Sequence, residues 1–117
     1  MTIQQCYEAF GGNYQEVISR LRADERVARF LQKVVDDGSY NLLCESIASG
    51  NAEEAFRAAH TLKGVCLNLS ITKLGESSSA LTEALRGGVI PSDVQPLVQQ
   101  VMEDYELTIN CILQLDK

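Results

Sequence analysis

The 117-residue chain has no tryptophan, two prolines and a single histidine. So few prolines leave few places where a helix must break. No apolar run approaches the ~20 residues that span a bilayer, so no membrane segment is expected. The opening MTIQQCYEAF lacks a basic stretch followed by an apolar one, so no secretory leader is expected either, and the cytoplasm is the expected compartment. Cys6, Cys44, Cys66 and Cys111 form no C-x-x-C pair, and one histidine is too few to complete a metal site with them. They are expected to be reduced packing thiols, with no cofactor or metal held by the chain. Ten Lys and Arg against sixteen Asp and Glu give a net charge of −6, which argues against nucleic acid as a partner. No stretch alternates apolar and polar residues as a half-buried strand does.

What is present is helical periodicity. Apolar residues recur every three or four positions almost throughout, which predicts an all-α chain, and its length suits a single domain over residues 1–117. A short helix near residues 2–10 should end at Gly11–Gly12. Asn13 with Glu16 is placed to cap a second, carrying Val17, Ile18 and Leu21. Asp24 is placed to cap a third, with Val27, Phe30, Leu31, Val34 and Val35, ending at Gly38. Ser39 should start a fourth, with Leu42, Leu43 and Ile47, that stops at Gly50. Asn51 with Glu54 then opens a helix of about twenty residues whose stripe is Ala55, Ala58, Ala59, Leu62, Val65, Cys66 and Leu69. Its close neighbour buries Ile71, Leu74, Ser78, Leu81 and Leu85 and ends at Gly87–Gly88, forming an antiparallel hairpin over about 51–87. Ser92 or Asp93 is expected to cap the last helix, with Pro96 in its first turn and Val94, Leu97, Val98, Val101, Tyr105, Ile109 and Ile112 inward. The architecture expected is an antiparallel four-helix bundle with short additional N-terminal helices.

The histidine lies in AAHTLKG, residues 58–64. Rotating about 100° per residue from Leu62 puts Lys63 about 100° from the core stripe, Phe56 about 120°, Leu67 about 140°, His60 about 160°, Gly64 about 200° and Arg57 about 220°. His60 therefore points outward. Gly64, one turn on, costs a helix about 1 kcal/mol relative to alanine and opens space beside the imidazole. It serves either the approach of a neighbouring helix or the approach of another molecule. Lys63 is placed to bring an ammonium near a group attached to His60. Phe56 and Leu67 either meet a partner or are covered by the opening helix with Ile3, Tyr7 and Phe10. On the next helix Gly75, Ser79, Thr82 and Arg86 share one side, with Thr82 level with His60. Arg86 is either a charge complementing the helix dipole or an anion-stabilising group.

AHTLKG, in an acidic all-helical chain of this length, resembles the histidine-containing phosphotransfer (HPt) domain of multistep two-component phosphorelays. The family pattern of histidine with lysine at the third and glycine at the fourth following position falls on His60, Lys63 and Gly64, and TKLGESSSALTEALRGG is similar to the family's partner helix. Two departures stand out. The family often has glycine where this chain has Ser70, and a small residue where it has Val65.

The resemblance implies a phosphoprotein in which His60 accepts a phosphoryl group from a receiver-domain aspartate and passes it to another receiver. Lys63 would offset charge on the transferring oxygens, and Gly64, Phe56, Leu67, Arg57 and Arg86 would meet the partner. The partners implied are receiver domains of a hybrid sensor kinase and of response regulators, with Mg²⁺ on the receiver and this chain a monomer. It would be a carrier rather than an autonomous kinase, since the sequence has no glycine-rich nucleotide loop. Two other readings compete: a helical adaptor that docks signalling proteins without phosphorylation, and a hydrolase using His60 as a base. The second lacks a serine or cysteine paired with the histidine.

Overall fold

Short polar side chains set where several helices begin, by accepting the first backbone N–H groups that have no partner within the helix. The computed structural model describes residues 1–115, and these form α1 (Ile3–Phe10), α2 (Tyr14–Leu21), α3 (Asp24–Asp36), α4 (Ser39–Ser49), α5 (Ala52–Asn68), α6 (Thr72–Leu85) and α7 (Gln95–Leu113). Thr2 and Gln5 cap α1 reciprocally, at 3.1 and 2.9 Å. Asn13 accepts from the Glu16 N–H at 3.0 Å, and Asn51 from the Glu54 N–H at 3.1 Å. Gly11 and Gly50 end α1 and α4 in the left-handed conformation.

Two expected caps are not formed. Ala23, not Asp24, precedes α3, and Asp24 is its first helical residue, where its carboxylate complements the helix dipole and accepts the Tyr14 hydroxyl at 2.7 Å. Neither Ser92 nor Asp93 caps α7. Val94 precedes it with helical dihedrals, and Pro96 occupies the first turn, where its missing N–H removes one unpaired donor.

Helices α4 to α7 run antiparallel as a bundle, with α5 and α6 the most extensively packed pair, and α1 to α3 lie over the end where α5 turns into α6. The bundle closes on itself where Tyr40 of α4 stacks on Tyr105 of α7, ring centroids 3.7 Å apart. Its inner surface on α5 and α6 is the expected one save at Val65: Ala55, Ala58, Ala59, Leu62, Cys66 and Leu69 are buried with Ile71, Leu74, Ser78, Leu81 and Leu85, while Val65 is half-buried at the edge toward α3, and on α4 Leu43 is buried but Leu42 exposed. On α7 the inner face is rotated from the expected stripe. Val94, Val98, Val101 and Ile112 are buried together with Asp104, Thr108 and Cys111, while Leu97, Tyr105 and Ile109 are half-buried. Asp104 is tolerated inside because Lys73 of α6 lies 3.6 Å from its carboxylate and Gln100 donates to it at 3.1 Å. Thr108 donates back to the Asp104 carbonyl at 2.7 Å.

The α5–α6 turn is built jointly with the N-terminal helices. Ser70 takes a left-handed φ of 56°, a conformation costing a non-glycine residue roughly 1–2 kcal/mol. Its neighbours offset that cost. The Ser70 hydroxyl donates to Glu16 at 2.6 Å and accepts from Arg20, and its carbonyl accepts the Asn13 N–H at 2.9 Å. Serine thus fills a position where the family often has glycine because α2 supplies partners that a glycine would leave unused. Gly12 is required by close approach: a Cβ there would lie 2.6 Å from the Tyr7 ring and 2.8 Å from the Ser70 carbonyl oxygen.

Candidate functional site

The buried stripe of α5 fixes which of its side chains reach solvent. With Ala58, Ala59 and Leu62 inward, His60 is exposed, and neither ring nitrogen has a hydrogen-bond partner among the described residues. Its ring lies 6.0 Å from that of Phe56, one turn earlier. Phe56 is half-buried, and the Arg86 guanidinium of α6 covers it at 5.3 Å. Arg86 is held there by Glu83, to which it donates at 2.7 and 3.1 Å. Hydrogen bonding from Arg86, followed by its charge and that of Lys63, keeps the Glu83 carboxyl below the ordinary carboxylate range.

The opening helix does not cover Phe56 or Leu67. Tyr7 of α1 donates to the Leu69 carbonyl at 2.7 Å, thirteen residues and about 20 Å along α5 from Phe56. Leu67 remains 58% exposed. Lys63 is half-buried and makes no ion pair or side-chain hydrogen bond among the described residues; its charge acts on Glu83 of α6, one turn from Arg86.

Two glycines of the hairpin have different surroundings. A Cβ on Gly64 would meet nothing within 4 Å, so no neighbouring helix requires that glycine. A Cβ on Gly75, which is buried, would lie 3.4 Å from the Cys66 side chain, in ordinary contact with α5. Thr82 is level with His60 but fully buried, its hydroxyl donating to the Ser78 carbonyl at 2.7 Å, and it takes no part in the exposed face. Arg57 is exposed and paired with Glu54 at 2.9 Å and Glu53 at 3.2 Å on its own helix.

Beside Lys63 and Leu67 runs a groove of about 620 Å³ between α5 and α6, floored by Cys66 and Gly75 and walled by Glu76 and Ser79. Burial pushes the Cys66 thiol up to about 12, which makes it a packing group and no nucleophile. The far end of the groove, formed by Glu16 and Ser70, was not foreseen from the sequence; its signal is Ser70, a polar residue at a turn that favours glycine. Among the described residues no group of three or more His, Cys, Asp or Glu is placed to hold a metal ion, and no helix is long and apolar enough to cross a membrane.

The class so defined is a small helical bundle that displays one unpartnered histidine, with a lysine and an open helical glycine beside it. The chain matches the Hpt domain family over residues 15–111, and it belongs to that family. Membership carries a histidine-phosphotransfer role in phosphorelays and interaction with receiver domains. No curated protein and no solved structure matches the chain.

Proposed function

We propose that His60 accepts a phosphoryl group from the aspartyl phosphate of one receiver domain and returns it to the aspartate of another. A lone pair on the imidazole attacks phosphorus in line, the N–P bond forms as the bond from phosphorus to the aspartyl oxygen breaks, and the aspartate leaves as a carboxylate. The observation that carries this reading is the pairing of His60, exposed and without a hydrogen-bond partner, with Gly64, whose missing side chain leaves open space on the same face. Lys63, unpaired and three residues on from His60 in α5, offsets negative charge on the equatorial oxygens as they transfer. Phe56, Leu67 and Arg86 form the apolar and cationic rim on which a receiver sits, and Arg57 flanks it. Mg²⁺ belongs to the receiver, and this chain acts as a cytoplasmic monomer that neither binds nucleotide nor starts the relay.

The test is label transfer. Incubated with a phosphorylated receiver domain, the wild-type protein is expected to acquire an acid-labile, base-stable phosphate, and His60→Gln is expected to acquire none while retaining its helical content. Labelling of the variant overturns the assignment. Receiver binding without any labelling of wild type identifies an adaptor instead.

A further inference from the structure

The chain is acidic, yet its cations are not spread evenly. Five of its ten Lys and Arg, namely Arg20, Arg22, Arg26, Arg29 and Lys33, fall within fourteen residues that hold two acids, Asp24 and Glu25. Four of the five, with Leu21 and Phe30, line a groove of about 450 Å³ at the α2–α3 corner. Arg20 is explained by the fold, since it pairs with Glu16 at 3.2 Å, bonds Ser70 and reaches the Leu67 carbonyl at 3.5 Å. Arg26 and Arg29 are not. Among the described residues neither has an ion pair or a side-chain hydrogen bond, and Lys33 has no carboxylate partner but rests 4.9 Å over the ring of Phe30. Phe30 is itself 39% exposed. Like charges held together without counter-charges repel one another, and an aromatic left partly exposed among them offers apolar surface to a partner.

The groove adjoins an apolar cleft of about 280 Å³ that shares Leu21, Phe30 and Lys33 with it and continues over Val34, Val65 and Leu69, with Asp37 as its one acid. Val65 follows Gly64 directly, and Asn68, also on the cleft, is eight residues and about 12 Å along α5 from His60. A protein interface of ordinary size covers about 800 Å² on each partner, a patch with a radius near 16 Å. A domain centred on His60 therefore reaches along α5 to the apolar cleft that adjoins this corner.

We infer that the α2–α3 corner is a second part of the receiver-docking surface, where Arg26, Arg29 and Lys33 meet carboxylates on the receiver and Phe30 with the adjoining cleft takes an apolar side chain between them. The inference rests on the phosphorelay reading of His60. Charge complementarity favours a folded acidic protein over a membrane or a nucleic acid. An extended polyanion would also lie along the acidic remainder of this chain, well beyond the ~8 Å over which the corner's field persists at physiological salt. The corner attracts the receiver during encounter and fixes its rotation about His60; it contributes no group to the reacting atoms.

The experiment uses the full chain and the triple variant Arg26→Gln, Arg29→Gln, Lys33→Gln. Of a panel of phosphorylated receiver domains, the one that transfers fastest to wild type serves as donor, and phosphoramidate labels His60 directly without any partner. The triple variant is expected to take label from phosphoramidate at the wild-type rate and from the receiver about tenfold more slowly at low salt, with the difference vanishing near ~0.5 M NaCl. Phe30→Ala is expected to slow receiver transfer at both salt concentrations. Equal receiver-dependent rates for wild type and the triple variant overturn the cationic surface while leaving the relay intact. So does a variant that loses binding to anionic phospholipid vesicles or to DNA while transferring normally. A wild-type protein labelled by phosphoramidate but by no receiver overturns the relay reading itself, and this surface with it.

Discussion

Replacing Gly64 separates stability from function, because the two respond to the same side chain with opposite sign. Gly64 lies inside α5 with no positive φ, and a Cβ added there meets nothing within 4 Å. Gly64→Ala therefore loses no contact and gains the helix-propensity difference, about 1 kcal/mol, largely by removing freedom from the unfolded chain. For a chain of this size the entropy of unfolding is about 0.25 kcal/mol per kelvin, so Tm should rise by about 4 °C. Gly64→Gln should fold with stability equal to or above that of wild type, but it places a polar arm one turn, about 6 Å, from the imidazole on the face that a receiver must approach. Displacing reacting atoms by about 1 Å can cost 10²-fold in rate, so phosphoryl transfer to the Gln variant should fall by about that factor. Thermal melts followed by circular dichroism give the first quantity, and rapid-quench transfer from one phosphorylated receiver gives the second. A Gln variant that unfolds shows that the glycine serves packing. One that folds and transfers at the wild-type rate shows that the space beside His60 has no part in docking.

Gly12→Ala should have the opposite effect on stability: its Cβ would be 2.6 Å from Tyr7, 2.7 Å from Phe10 and 2.8 Å from the Ser70 carbonyl oxygen, and overpacking of that kind costs about 1–3 kcal/mol, visible as a lower Tm. Lys63→Ala should slow transfer while leaving Tm within about 2 °C, since a lysine without an ion pair contributes little to folding; an unchanged transfer rate would reduce Lys63 to a solvated charge. Leu67→Asp should weaken receiver binding by about 1 kcal/mol or more in a titration without loss of helix, because the side chain is already exposed; a large drop in Tm with unchanged affinity would place it in the core. Burial above all raises the Cys6 and Cys66 thiols from an ordinary value of 9.0 to about 12. The folded state thus holds protons that the unfolded state releases, so this contribution to stability is complete below about pH 9 and is lost as pH rises toward 12. Both thiols should resist iodoacetamide at pH 8 until the protein is denatured, and rapid alkylation of the native protein would refute their burial.

Features that depend on a few consecutive residues were legible in the sequence. Asn13 with Glu16 and Asn51 with Glu54 cap their helices as their spacing indicates, because both partners lie within one turn of backbone. The outward direction of His60 followed from helical rotation alone, since seven apolar residues of one helix leave little doubt about which face is buried. The inward face of α7 did not follow. Apolar pattern turns Asp104 outward, whereas Lys73, thirty-one residues earlier, makes it tolerable inside. The cap expected at Asp24 fails for a related reason, because Tyr14 of a different helix takes its carboxylate.

The same division holds at the site. His60, Lys63 and Gly64 are neighbours on one helix and form a motif that is readable in a string of letters. That Arg86 covers Phe56, that the space at Gly64 is open while Gly75 packs on Cys66, and that Glu16 and Arg20 support the strained Ser70 are matters of how helices meet. The cluster of cations in residues 20–33 stands in the sequence, but packing alone sets it beside the end of the His60 helix. Helical periodicity fixes the direction of a side chain relative to its own axis. Its distance from a residue on another helix is set by turn geometry and by how the helices pack, and tertiary structure alone decides those.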